Sequence, residues 1–238
     1  MIFTYKIADV IFDVDIRYKQ TYNLMTDYLA DTNEKPDFLI TTCDEDIARE
    51  KELAPYDTAD YCYEFTSVYR KFIYQLMENY DAFFFHCSAI SIENQGIMFT
   101  AQSGTGKSTH RNLWLKKFGD KVTVINDDKP VIRKIDGLYY IYGTPWMGKE
   151  GMGNNIRVPA KALCFLSRSQ TNSIGKIDTM SVITKALNQT VRPESPKLMS
   201  NLLDLLDGFL KQVDTYDLKV NMNDDAPVVA YKEIMKKL

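Results

Sequence analysis

The 238-residue chain contains no apolar run near the roughly 18 residues that a membrane-spanning helix requires, so nothing in it reads as a helical membrane span. It has no surplus of basic residues either. Twenty-nine Lys and Arg stand against 32 Asp and Glu, a net charge of −3, which leaves no broad positive field for a nucleic-acid backbone or an anionic membrane. Its four cysteines, Cys43, Cys62, Cys87 and Cys164, are scattered, and with only two histidines in the chain they make neither a C-x-x-C motif nor a two-Cys, two-His zinc pattern. Reduced, buried thiols are the reading. There is no internal repeat and no low-complexity segment. The opening Met-Ile-Phe-Thr-Tyr-Lys lacks the plan of a signal peptide, and a cytoplasmic location is the expectation. The length allows one large domain or two small ones, with a substantial core that needs no disulfides or structural metal.

What the chain does contain is Ile97-Met-Phe-Thr-Ala-Gln-Ser103-Gly104-Thr105-Gly106-Lys107-Ser108-Thr109, an apolar strand running into a glycine loop. Leu113, Trp114 and Phe118 then recur on one face of a predicted helix with Lys116 and Lys117 near its end. Strand, glycine loop and helix form the context of a phosphate-binding loop. Gly104 and Gly106 can adopt backbone angles that let successive N–H groups turn toward phosphate oxygens, and the helix N-terminus adds partial positive charge. Lys107 is placed to reach the β- and γ-phosphates, and the Ser108 hydroxyl to hold a magnesium ion. Ala101 stands where the pattern G-x-x-x-x-G-K-[ST] has its first glycine.

A second piece of chemistry lies at the end of the next apolar run, where Val122-Thr-Val-Ile-Asn126 leads into Asp127 and Asp128. A carboxylate at a strand end beside such a loop can hold magnesium, and its neighbour can accept the proton of an attacking hydroxyl. Upstream, 82–92 reads as one strand carrying His86, and Glu93-Asn94-Gln95-Gly96 as the turn that returns the chain to the loop, bringing His86 toward its phosphate end.

The rest supplies scaffold and a candidate acceptor site. Residues 3–17 alternate as one half-buried strand, 22–28 suggest a short helix and 37–42 a second strand. The acidic piece 43–56 reads as solvated surface, lacking a calcium loop's glycine and terminal glutamate. A helix is predicted over 66–80, closing a small N-terminal α+β subdomain of residues 1–80 ahead of a nucleotide-binding domain over 81–238. A hairpin through Asp136-Gly137 joins two strands, and 162–166 is a core strand. Helices are predicted over 181–188 and 198–213, a strand over 213–222 and a closing helix over 226–238 ending in Lys236 and Lys237. Residues 143–155 hold four of the eleven glycines and read as an ordered substrate lid, with Trp146 as a pocket wall and Lys149 and Arg157 meeting anionic groups.

Taken together, His86, the Ala101-Gln-Ser103-Gly104-Thr-Gly106-Lys107-Ser108 loop and Asn126-Asp127-Asp128 resemble the catalytic domain of HPr kinase/phosphorylase and the wider phosphoenolpyruvate-carboxykinase-like kinases, over about residues 82–170. The resemblance implies an α/β fold with a mixed sheet and the loop on a central strand, ATP and Mg2+ as ligands, and phosphoryl transfer to a hydroxyl. It implies that Lys107 and the backbone from Ser103 to Thr109 cradle the phosphates, that Ser108 and Asp128 hold the metal, that Asp127 is the general base and that His86 orients it or the phosphate, with the two aspartates' roles exchangeable. Self-association is a further expectation, since members of that family are often oligomers. The family's Glu-x-Arg-Gly-Leu-Gly signature is missing, and the first 80 residues do not resemble its regulatory domain. The chain is more similar to shorter kinase-like relatives, which points to a peptide or protein serine or a small alcohol as acceptor. A nucleotide-binding regulatory module without turnover and a P-loop NTPase are the alternative readings.

Overall fold

The computed structural model describes residues 1–236. The run expected as one strand over 3–17 is a hairpin, β1 (Ile2–Ile7) and β2 (Val10–Asp15), because Ala8 and Asp9 both take left-handed backbone angles, φ 54° and 58°. No Asn-Gly or Gly-Gly pair signals that turn. After α1 (Lys19–Met25), β3 (Leu39–Thr41) runs parallel to β2 and completes a three-stranded sheet. The acidic piece is a helix, α2 (Asp44–Leu53): Asp44, Glu45 and Asp46 fill its first turn, where the dipole favours carboxylates, and the Asp46 carboxylate accepts the Cys43 N–H at 2.9 Å. The predicted helix over 66–80 begins six residues earlier, as α3 (Asp60–Asn79), with Val68, Phe72, Ile73, Leu76 and Met77 on its buried face. Phe12 of β2 stacks on Phe72 at 4.5 Å.

The strand expected over 82–92 is two strands in different places. β4 (Ala82–Phe84) pairs with β8 (Val131–Ile135), whereas β5 (Ser88–Ile92) pairs with β6 (Gln95–Thr100) and β7 (Val122–Asn126). Between them the N–H groups of Phe85, His86 and Cys87 bond to the carbonyls of Pro130, Gln189 and Asp128, so the break is held by two segments distant in sequence. α4 (Lys107–Phe118) follows β6, and β8 forms the expected hairpin with β9 (Leu138–Tyr142) through Asp136 and Gly137, both with positive φ.

The core strand expected over 162–166 is the middle of a twelve-residue strand, β10 (Arg157–Arg168). Its start lies antiparallel to β9; its remainder lies parallel to β6 and to β12 (Asp214–Val220), so β10 joins the two parts of a nine-stranded mixed sheet. β11 (Ser173–Lys176), which periodicity does not announce, pairs with β12. The helices are α5 (Thr179–Leu187), α6 (Pro196–Gln212) and α7 (Ala226–Ile234). The closing helix is thus shorter than predicted; Lys236 lies beyond its end, and Lys237 and Leu238 are outside the described residues. α4 and α7 cover one face of the sheet through Trp114, Ala230 and Ile234, packed with Phe99 and Leu218. The larger core runs from Tyr5, Phe12 and Phe72 through Phe83 and Ile141 to Leu206 and Phe209, without a gap at residue 80. The architecture is mixed α/β. Cys87 and Cys164 are buried as expected, while Cys43 is exposed and Cys62 half-buried.

Candidate active site

The glycine loop leaves β6 at Thr100, a buried residue whose hydroxyl donates to the His86 carbonyl at 3.0 Å and so ties the β4–β5 break to the loop's root. Gly104 and Gly106 sit at φ 78° and 123°, and a Cβ on Gly104 would meet nothing within 4 Å; the demand there is for a backbone angle, not for space. Position 101 imposes no such demand: Ala101 contributes its carbonyl, which accepts the Lys107 ammonium at 3.1 Å. From β10 the Arg168 guanidinium donates to the Gly104 and Thr105 carbonyls at 2.5 and 3.1 Å, and the Thr105 N–H donates to the Gln102 carbonyl at 3.2 Å. α4 begins at Lys107, so its free N–H groups lie at the loop's end.

One cleft of about 390 Å3 gathers most of the residues singled out in the sequence. Ser103, Gly104, Gly106, Lys107, Ser108 and Thr109 form one wall; His86, Asp127 and Asp128 form the other, with Gly148, Lys149 and Glu150 above. Thr105 points to neighbouring pockets on the other side of the loop. Burial lowers the Lys107 pKa, and the charge of Asp128 and the nearby Cys87 oppose that shift. An ammonium held in this way gains more than a solvated one from an anionic ligand.

The two aspartates have different surroundings. Asp128 accepts from His86 Nε2 at 3.1 Å and pairs with the Lys129 ammonium. Burial would raise its pKa, but the His86 hydrogen bond and the Lys129 charge outweigh it, and the carboxyl is lowered to about 2. Asp127 is nearly buried, and its oxygens accept the N–H groups of Gly148 at 2.6 Å and Met152 at 3.3 Å. Its Oδ2 also lies 3.5 Å from Nη1 of Arg111, a fully buried guanidinium on α4 whose Nη2 pairs with the Glu150 carboxylate. Asp127 therefore clamps the glycine-rich stretch over the cleft. Asp128, one residue on, faces Lys107 and His86.

The stretch 143–155 is ordered, and only its segment Gly148–Glu150 lines the cleft. Trp146 is buried: its indole N–H donates to the Phe65 carbonyl at 3.0 Å and its ring packs against Phe65 and Phe72 at 5.6 and 5.7 Å. It is a core anchor and not a wall of the cleft. Arg157, at the start of β10, pairs with Asp9 at 3.0 Å and lies over the Tyr140 ring, away from the cleft lining. Of the three residues expected to meet the acceptor, only Lys149 lines the cleft. Arg111, Glu150, Lys129 and Arg168 were not singled out from the sequence. Arg111 follows Lys107 at i+4 on α4, a spacing that puts both on one face of the helix. Glu150 carries no comparable signal.

Among the described residues no group of three or more His, Cys, Asp or Glu could hold a metal ion by themselves. Among those residues no helix is long and apolar enough to cross a membrane. No family model matches the chain, and no curated protein matches it. Among solved structures it is similar to the HPr(Ser) kinase/phosphatase from Coxiella burnetii, at 8% identity over 63% of this chain and 95% of that one, with a TM-score of 0.34. That likeness is distant and assigns no residue a role.

Proposed function

We propose that the chain is an ATP- and magnesium-dependent kinase, with the glycine loop on a phosphoenolpyruvate-carboxykinase-like sheet, that passes the γ-phosphoryl group to a hydroxyl of a peptide, protein or small-molecule acceptor. The reading rests on one observation: the glycine loop, Lys107, Ser108, Asp128 and His86 line a single cleft. Loop amides, the α4 N-terminus and Lys107 together receive the phosphate charge, and phosphoryl transfer needs mostly this kind of positioning and neutralisation. Magnesium, when bound, neutralises charge on the β- and γ-phosphates. The Ser108 hydroxyl and the ionised Asp128 would hold it, and two oxygen donors fit because Mg2+ keeps water and phosphate oxygens as its other ligands.

The acceptor's proton is better taken by His86 than by Asp127. Two amide N–H groups and Arg111 already occupy the Asp127 carboxylate, whereas His86 is half-exposed in the cleft and oriented through Nε2 by Asp128, leaving its other nitrogen as the base. Asp127 then acts as the anchor that keeps Gly148 to Met152 over the cleft. Lys149, lining the same space, is the residue to meet an anionic group of the acceptor.

A labelled-ATP transfer screen over serine peptides, free hydroxy-amino acids, sugars and alcohols tests the reading. Magnesium-dependent label on a hydroxyl, lost in His86→Ala with ATP binding retained, is expected. The occupied Asp127 carboxylate favours a second reading, a nucleotide-binding module without turnover; tight Mg-ATP binding with no labelled acceptor anywhere in the panel would select it.

A further inference from the structure

Behind the loop lies a second pocket, of about 420 Å3, that shares Gly106 and Thr109 with the cleft and extends from them between α4 and the ends of β10 and β12. Its size falls in the range of about 300–1,000 Å3 usual for small-molecule sites. Val220 and the exposed side chain of Met222 make it apolar, unlike the cleft. Two of its polar side chains are engaged elsewhere: Arg168 holds the loop carbonyls, and the Asn221 amide donates to Gln170 and accepts from the Asn223 N–H. His110 differs from the rest in having a buried ring nitrogen without a partner among the described residues. It lines the pocket while almost fully buried, and its Nε2 accepts the Trp114 indole N–H at 2.9 Å. Since an indole can only donate, the His110 proton resides on Nδ1, and that N–H has no partner among the described residues.

We propose that this pocket takes the adenine and ribose of the nucleotide whose phosphates lie on the neighbouring loop, with the His110 Nδ1–H donating to a ring nitrogen of the base. The inference rests on the reading of residues 103–108 as a nucleotide-phosphate loop. Gly106 and Thr109, common to both spaces, give one ligand a continuous path from the γ-phosphate end at Lys107 and Asp128 to the base end at His110. Adenine suits the lining better than guanine. Guanine presents two adjacent N–H donors that a carboxylate satisfies, and no Asp or Glu lines the pocket among the described residues. Adenine's ring nitrogens accept, matching the buried unpaired donor at His110. The apolar walls at Val220 and Met222 suit its faces.

Two measurements on the full chain test this. With only two histidines, the imidazole signals of His86 and His110 are separable by NMR. Mg-ATP is expected to shift both, and Mg-tripolyphosphate, which has phosphates and no base, only His86. By calorimetry, Ser169→Trp, which places an indole in the pocket, is expected to weaken Mg-ATP at least about tenfold and leave Mg-tripolyphosphate within about twofold. If Mg-ATP binds and Lys107→Ala abolishes the binding, yet His110 responds to neither ligand or equally to both, the base does not lie in this pocket and the loop reading survives. If the wild-type protein binds neither ligand, the phosphate-loop reading fails and the pocket's assignment with it. The NMR comparison needs no variant, so misfolding of Ser169→Trp does not leave the proposal untested.

Discussion

At the scale of single residues, the decisive contrast is between Asp127 and Asp128. Consecutive residues leaving a strand point to opposite sides, and here one side leads to Arg111 and the 148–152 amides, the other to His86 and Lys107. Asp128 makes a pH prediction. Its carboxyl falls from the usual 3.8 to about 2 in the fold, so it stabilises the native state fully above about pH 4 and loses that contribution as pH falls through about 2. The shift corresponds to about 2 kcal/mol. Asp128→Asn should flatten the stability profile between about pH 4 and 2 in chelator-treated protein, as followed by urea denaturation; a profile as steep as wild type would mean that His86 and Lys129 do not hold the carboxylate. The pair was plain in the sequence because Asp-Asp ends an apolar run. Which member faces His86 and Lys107 was not, since the amides that hold Asp127 lie 21 and 25 residues away in a loop whose path no periodicity describes.

Among the elements, the 143–155 stretch is best explained by close backbone approach, and its glycines have different duties. A Cβ on Gly143 would lie 1.8 Å from the Asn154 carbonyl oxygen and 2.7 Å from that of Ile125, both backbone atoms. Gly143→Ala should therefore cost at least the upper end of the ~1–3 kcal/mol seen for overpacking. Chemical denaturation measures it, and a loss under about 0.5 kcal/mol, the scale of an ordinary surface substitution, would show that Asn154 does not pack there. Gly151, at φ 60° with nothing within 4 Å of a Cβ, serves the turn alone. Helices α3, α4 and α6 and the β8–β9 hairpin were legible because periodicity and an Asp-Gly turn mark them. The β4–β5 break at 85–87 was not, because an uninterrupted apolar run hides it and only the Pro130, Gln189 and Asp128 carbonyls create it. That break sets His86 against Asp128.

On the scale of the whole molecule, the first 80 residues build their own sheet but share a core with the rest: rings of Phe12, Phe72 and Trp146 stack in sequence from β2 through α3 to the stretch above the cleft. The core is therefore expected to unfold in one calorimetric transition, and Phe72→Ala to lower it by about 3–5 kcal/mol without splitting it. Two transitions, with only the first shifted by the substitution, would show the N-terminal sheet to be a separate unit. The same packing carries the site, since the segment clamped by Asp127 is fixed at its other end by Trp146 in this core. The central claim is that the cleft grips a magnesium nucleotide through Lys107 and the loop, and calorimetric titration of Mg-ATP into wild type and Lys107→Ala tests it most directly. One Mg-ATP per chain, weakened by chelator and lost in Lys107→Ala with the fold intact, is the predicted result; binding that is absent from the wild type, or unchanged in the variant, would contradict it.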